Sequence, residues 1–144
     1  MPKEIQEVLD QQIPITRHMG VRVVGYDESG LSLEAPLAPN INDKGTAFAG
    51  SLGSLVTLAG WGLLHQVMSE HALNGQVAIV KSATTFDHPV RGSLHAHCIR
   101  PSVEKLETFV DTFKSQGRAR IDLECVVREE NQKAVSFTGT YAAY

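Results

Sequence analysis

Two hydrophobic periods alternate along this chain. Ile5, Val8, Leu9 and Ile13 recur at helical spacing and predict an amphipathic helix over 3–13, with Pro2 suited to its first turn and Pro14 breaking it. Val21 to Asp27 reads as a strand and Glu28-Ser29-Gly30 as a turn. Leu31, Leu33, Ala35 and Leu37 then alternate with Ser32, Glu34 and Pro36, the period of a half-buried strand. Pro36 either ends that strand or puts it at a sheet edge. Residues 38–46 are a loop rich in Pro, Asn, Asp and Gly.

From about 47 to 72 the chain is apolar all round, with no formal charge between Gly45 and Ser69. That predicts a long buried helix, stopped by Asn74-Gly75. Val77-Ala78-Ile79-Val80 is apolar in both phases, as in a strand buried on both faces, and continues toward Asp87. Beyond His88-Pro89-Val90-Arg91-Gly92, the residues Leu94, Ala96 and Cys98 point one way. Ser102 caps a short helix with Val103, Leu106, Val110 and Phe113 on its apolar face and Phe109 beside them, ended by Gly117. Ile121, Leu123, Cys125 and Val127 alternate, 129–132 is a hairpin loop, and 133–141 is a closing strand.

Six mostly antiparallel strands and one helix without a polar face predict an α+β class, a sheet wrapped around a helix, in a single domain over 1–144. The formal net charge of −3 gives no electrostatic reason to expect nucleic acid. The uncharged stretch is long enough to span a bilayer. Its many glycines, its Thr46, Ser51, Ser54 and Thr57, and the absence of a flanking basic cluster favour a helix wrapped by its own protein, with no membrane partner. Cys98 and Cys125, at apolar strand positions, read as reduced core residues. With no signal pattern at Met1-Pro2-Lys3-Glu4, a cytoplasmic location is expected.

The chemistry centres on Asn42 to Leu52, a polar, glycine-punctuated loop that runs into the uncharged helix. A helix start offers free backbone N–H groups to partial negative charge, a means of polarising a carbonyl. His95 and His97, two apart on one strand, lack a third ligand at suitable spacing, so no metal is expected. No Gly-x-Ser-x-Gly elbow or phosphate loop is present.

This loop-then-helix segment, the Pro89-Val90-Arg91-Gly92 strand end and the final pair of alternating strands resemble a hot-dog fold thioesterase. More narrowly, the run from Ala35 to Leu52 resembles the thioesterase domain at the C-terminus of YiiD-type proteins. The resemblance implies a hot-dog fold: a mostly antiparallel six-stranded sheet around one long central helix. It also implies a homodimer or homotetramer with sites between subunits, an acyl-CoA or acyl-carrier-protein substrate, and no cofactor. Where many relatives carry His-Gly-Gly, this chain has Phe48-Ala49-Gly50. The Ala49 and Gly50 amides would hold the oxyanion, or these small residues merely permit tight packing.

By the same resemblance Asn42 matches a loop asparagine that holds water or carbonyl, though it also suits a plain turn. Asp43 is a general base only if it turns inward. Thr57, eight residues after Ala49, stands where many relatives have an acid. A threonine orients water but is no base, and it equally serves as a core residue bonded to its own helix. Phe48 and Trp61 either line an acyl channel or pack the core. Ser82 and Thr84 would close the pocket, and Arg91 would meet a pantetheine or nucleotide phosphate. The competing expectations are a non-catalytic acyl-thioester binding module and, against Phe48, a dehydratase.

Overall fold

The computed structural model describes residues 2–144. It opens with α1 (Pro2–Gln12) and, beyond Pro14, the short α2 (Ile15–Met19). Strands β1 (Arg22–Asp27) and β2 (Gly30–Ala35) follow. A 3-10 turn (Ala38–Asn40) and a loop then lead into α3 (Ala49–Glu70). The rest is β3 (Val77–Phe86), β4 (Leu94–Ile99), α4 (Val103–Gln116), β5 (Ala119–Glu129) and β6 (Gln132–Ala143).

The strands form one six-stranded sheet, ordered β1-β2-β4-β5-β6-β3, with every neighbouring pair antiparallel. The alternation expected for β2, β4 and β5 puts Leu31, Leu33, Leu94, Ala96, Cys98, Leu123 and Cys125 on one buried face. Helix α3 lies across that face in the same apolar cluster, burying Leu55, Val56, Ala59, Leu63, Leu64 and Val67. Burial of this kind stabilises by about 25 cal/mol per Å² of apolar surface. It is available here because α3 carries no charge before its last residue, Glu70. Contact is tight at Gly60, where a Cβ would strike the Tyr141 hydroxyl. Glu130 and Asn131 both take positive φ (49° and 69°), as the tight β5–β6 hairpin turn requires.

The two sheet edges differ. At β1, α1 covers the edge: Gln6 Oε1 accepts the Val23 N–H at 2.7 Å, and Gln6 Nε2 donates to the Val21 carbonyl at 3.0 Å. Strand β3 pairs only with β6 among the described residues. Its Ile79, Val80 and Phe86 are exposed, Val80 at 45%. The expected double burial of Val77–Val80 is therefore wrong in the single chain. An apolar run in both phases does not distinguish an interior strand from an edge strand with two uncovered faces. Val80 is also the extra residue of a bulge, between the pairs Ile79–Tyr141 and Lys81–Thr140.

Other boundaries shift for local reasons. Strand β2 ends at Ala35, so Pro36 terminates an interior strand and Leu37 lies beyond it. Helix α3 stops at Glu70, before Asn74-Gly75, because Ala72 turns the chain at φ 52°. The periodicity did not reveal α2, whose five residues are too short for a pattern. Val103, the first residue of α4, is 70% exposed, whereas Phe109 is buried. Ser102 Oγ accepts the Lys105 N–H at 3.2 Å, and Gly117 closes α4 at φ 74°, as expected.

Candidate active site at the start of the central helix

Asn42 organises the loop before α3. Its Oδ1 accepts from the N–H groups of Lys44 (2.8 Å) and Thr46 (3.1 Å). Its Nδ2 donates to Thr46 Oγ1 (2.8 Å) and the Ala47 carbonyl (3.3 Å). The side chain is engaged wholly within its own loop, so it shapes the backbone. Asp43 points to solvent, its side chain 82% exposed, and accepts from Lys44 Nζ at 2.8 Å. That hydrogen bond holds its carboxyl below the ordinary carboxylate range. The inward turn that a general base would need is absent.

Three tethers fix where α3 begins. The Val90 carbonyl accepts the Ala47 N–H at 2.8 Å, and the Asn40 carbonyl accepts the Phe48 N–H at 2.7 Å. Glu129 steadies the 89–92 turn by accepting the Arg91 and Gly92 N–H groups at 2.8 and 3.0 Å. Asn40 went unnoticed in the sequence, because an asparagine after Pro36 and Pro39 reads as surface turn. It is only 2% exposed. Its Nδ2 donates to the Met19 and Pro36 carbonyls, both at 2.8 Å, and its buried Oδ1 has no partner among the described residues.

Phe48 caps the helix in an extended conformation (φ −65°, ψ 132°), and its carbonyl accepts the N–H groups of Ser51 and Leu52. The Ala49 and Gly50 N–H groups have no acceptor among the described residues, and both residues are exposed. Two unpaired donors at the positive end of a 22-residue helix are a ready site for developing negative charge.

A cleft of about 430 Å³ opens beside them. It brings together four of the predicted residues: Gly50 and Thr57 from α3, Ser82 and Thr84 from β3. Gly53, Ser54 and Leu58 complete the helical wall, and Ile15 of α2 adds an apolar lip. Thr57 Oγ1 donates to the Gly53 carbonyl at 2.7 Å and Ser54 Oγ to the Gly50 carbonyl at 2.8 Å. Each hydroxyl proton is thus committed to the helix, and its lone pairs remain free to accept. Among the described residues no carboxylate or imidazole lines the cleft.

Other predicted residues lie elsewhere. The Phe48 ring is 55% exposed and folds over Gly50, where it would meet any added Cβ. Trp61 is outside the cleft lining, eleven residues beyond Gly50, or about 17 Å along the helix at 1.5 Å per residue. Its Nε1 donates to the Val77 carbonyl at 3.0 Å, and its ring stacks on His65 at 5.0 Å. Arg91 enters the architecture through its backbone N–H and is not among the cleft residues. Cys98 and Cys125 are direct cross-strand partners, both free and buried. The hydrogen bond to Cys98, and then burial, push the Cys125 thiol well up, away from a nucleophilic thiolate. Among the described residues no cluster of three or more His, Cys, Asp or Glu could hold a metal ion, and no helix is long and apolar enough to cross a membrane.

Comparison with known proteins adds a family. Residues 2–144 match the family model described as "Putative thioesterase (yiiD_Cterm)". A solved protein of unknown function from Chlorobaculum tepidum TLS superposes with a TM-score of 0.94 at 34% identity, covering 99% of this chain and 93% of that one. A structure described as a "putative thioesterase" from Shewanella oneidensis gives 0.85 at 24% identity, covering 99% and 96%. A "probable thioesterase" from Pseudomonas aeruginosa gives 0.83 at 20%, covering 99% and 95%. The last two establish the shared hot-dog fold.

Proposed function

The chain belongs to the YiiD C-terminal thioesterase family, and from that premise we propose that it hydrolyses acyl thioesters, of coenzyme A or of acyl-carrier protein, in the cleft beside Gly50. The observation that carries this reading is the pair of unpartnered N–H groups at Ala49 and Gly50. A thioester oxygen seated there gains negative charge as water attacks the carbonyl carbon, and two fixed donors stabilise that charge without reorganising. Thr57 Oγ1, its own proton committed to Gly53, accepts from the attacking water and orients it. The carbon–sulfur bond then breaks, and the proton lost by water ends on the departing thiol. Asn42 and Asn40 act indirectly, by holding the backbone that presents the amides.

The same reading makes β3 the seam between two copies. A ten-residue edge strand with exposed Ile79, Val80 and Phe86 suits edge-to-edge pairing. Such a homodimer, or a tetramer made of two, would close the cleft along Ser82 and Thr84.

The test is release of free thiol from a series of acyl-CoAs and acyl-pantetheines, read with a thiol reagent. Steady turnover that saturates with substrate is expected. A second reading, an acyl-thioester binding module, is favoured by the lack of a carboxylate or imidazole in the cleft. Calorimetric binding of acyl-CoA with no thiol released would select it. Neither binding nor turnover would end both.

A further inference from the structure

On the outer face of the sheet, away from α3, lies a recess of about 520 Å³ that the thioesterase reading does not use. Ser32 and His97 meet there as direct cross-strand partners on β2 and β4, both interior strands. Ser32 Oγ and His97 Nδ1 are 2.8 Å apart, and His97 Nε2 is 3.0 Å from the Ser29 carbonyl oxygen. A carbonyl oxygen only accepts, so Nε2 carries a proton. In the neutral ring Nδ1 is therefore the acceptor, and the Ser32 hydroxyl donates to it. This is a nucleophile bonded to a base whose tautomer and orientation are fixed by a third group. Beside Ser32 the floor is open: its β1 partner is Gly25, where an added Cβ would meet nothing. Val24 and Val126 form apolar walls, and Arg128 supplies a cation with no partner among the described residues.

We propose that Ser32 and His97 form a second, covalent acyl-transfer site on the outer sheet face, with small carboxylic esters as its substrate class. Ser32 Oγ bonds to the ester carbonyl carbon while its proton passes to His97 Nδ1. The carbon–oxygen bond to the leaving alcohol breaks, and that oxygen takes the proton from Nδ1. Water then attacks the acyl-serine: its oxygen bonds to the carbonyl carbon, the bond to Oγ breaks, and the proton returns through Nδ1 to Ser32. Arg128 faces the charge that develops on the carbonyl oxygen.

The probe is p-nitrophenyl acetate, followed by p-nitrophenolate release and by mass mapping of the acetylated peptide. The expected result is one acetyl group on Ser32, absent in Ser32→Ala, with release slowed about 100-fold or more in His97→Gln. Both variants should keep the parent melting temperature within a few degrees and leave thiol release from acyl-CoA unchanged. That second readout separates this site from the cleft beside Gly50. Acetylation elsewhere, release that survives Ser32→Ala, or no reaction of the folded parent each overturns the proposal. Should Ser32→Ala fold poorly, Ser32→Cys keeps a nucleophile in place, and the acyl group must then be found on that sulfur.

Discussion

The phenol of Tyr141 donates to the carbonyl oxygen of Thr57 at 2.7 Å, with its ring pressed against Gly60 one turn along α3. The hydroxyl is fully enclosed, and burial raises its pKa far above the ordinary phenol value. Strand β6 is thereby pinned to the central helix at the residue that also lines the cleft. Gly60→Ala should destabilise the fold by about 1–3 kcal/mol, since the new methyl overpacks against the phenol by more than the gain in helix propensity. Tyr141→Phe should cost about 1 kcal/mol, one hydrogen bond. Urea midpoints of the three proteins measure both.

Ala49→Pro isolates the proposed oxyanion donor. Proline removes only the N–H and is well tolerated at the first position of a helix. Phe48 already has the extended conformation that a following proline demands. Far-ultraviolet circular dichroism should be unchanged, while kcat for thioester hydrolysis falls about 100-fold or more. Parent-like turnover would move the oxyanion away from Ala49.

His65 makes stability depend on pH. Burial lowers its pKa from 6.5, so the folded state resists the proton that the unfolded state takes up. The contribution is fully present above pH 6.5 and is lost as pH falls from there through the lower folded pKa. Melting temperature should decline across that window in the parent and less in His65→Gln. Because the chain's single tryptophan stacks on this ring, its fluorescence offers a direct titration. A protonated imidazole quenches indole emission, and the midpoint should lie below 6.5.

Asn40→Ala should weaken the site through the backbone. The Met19 and Pro36 carbonyls lose their shared donor, at a net cost of about 1–3 kcal/mol once loss of the unpartnered Oδ1 is counted in its favour. Thioester turnover should fall with stability intact enough to measure it, whereas Glu129→Gln, which keeps one acceptor for the 89–92 turn, should lose less on both counts. Equal effects of the two would show that Asn40 has no special hold on the helix start.

The elements readable in the sequence are those whose period matches one uniform environment. Leu123 and Cys125 alternate because one face of β5 meets α3 and the other meets water, and the uncharged, glycine-rich run around Leu55 to Leu64 favours a helix enclosed by its own protein. The misreadings share a cause. Val80 and Val103 carry apolar side chains at positions that the chain's own fold does not cover, and one-dimensional pattern cannot say what covers a surface. At the site, the family resemblance pointed to Gly50, Thr57, Ser82 and Thr84, and the fold brings these four together in one cleft. Asn40 and Asn42 are both loop asparagines in the sequence. Only the path of the backbone reveals that one is sealed beneath carbonyls while the other folds its amide into a turn.

The unpaired donors at Ala49 and Gly50 are main-chain atoms, which gives them an unusual standing in heredity. Codon changes at these two positions alter bulk and shape but, proline aside, cannot delete the hydrogen each one presents. A lineage carrying this chain is therefore free to remodel the surrounding side chains toward new molecules while the pair of donors proposed to hold the oxyanion is passed down untouched.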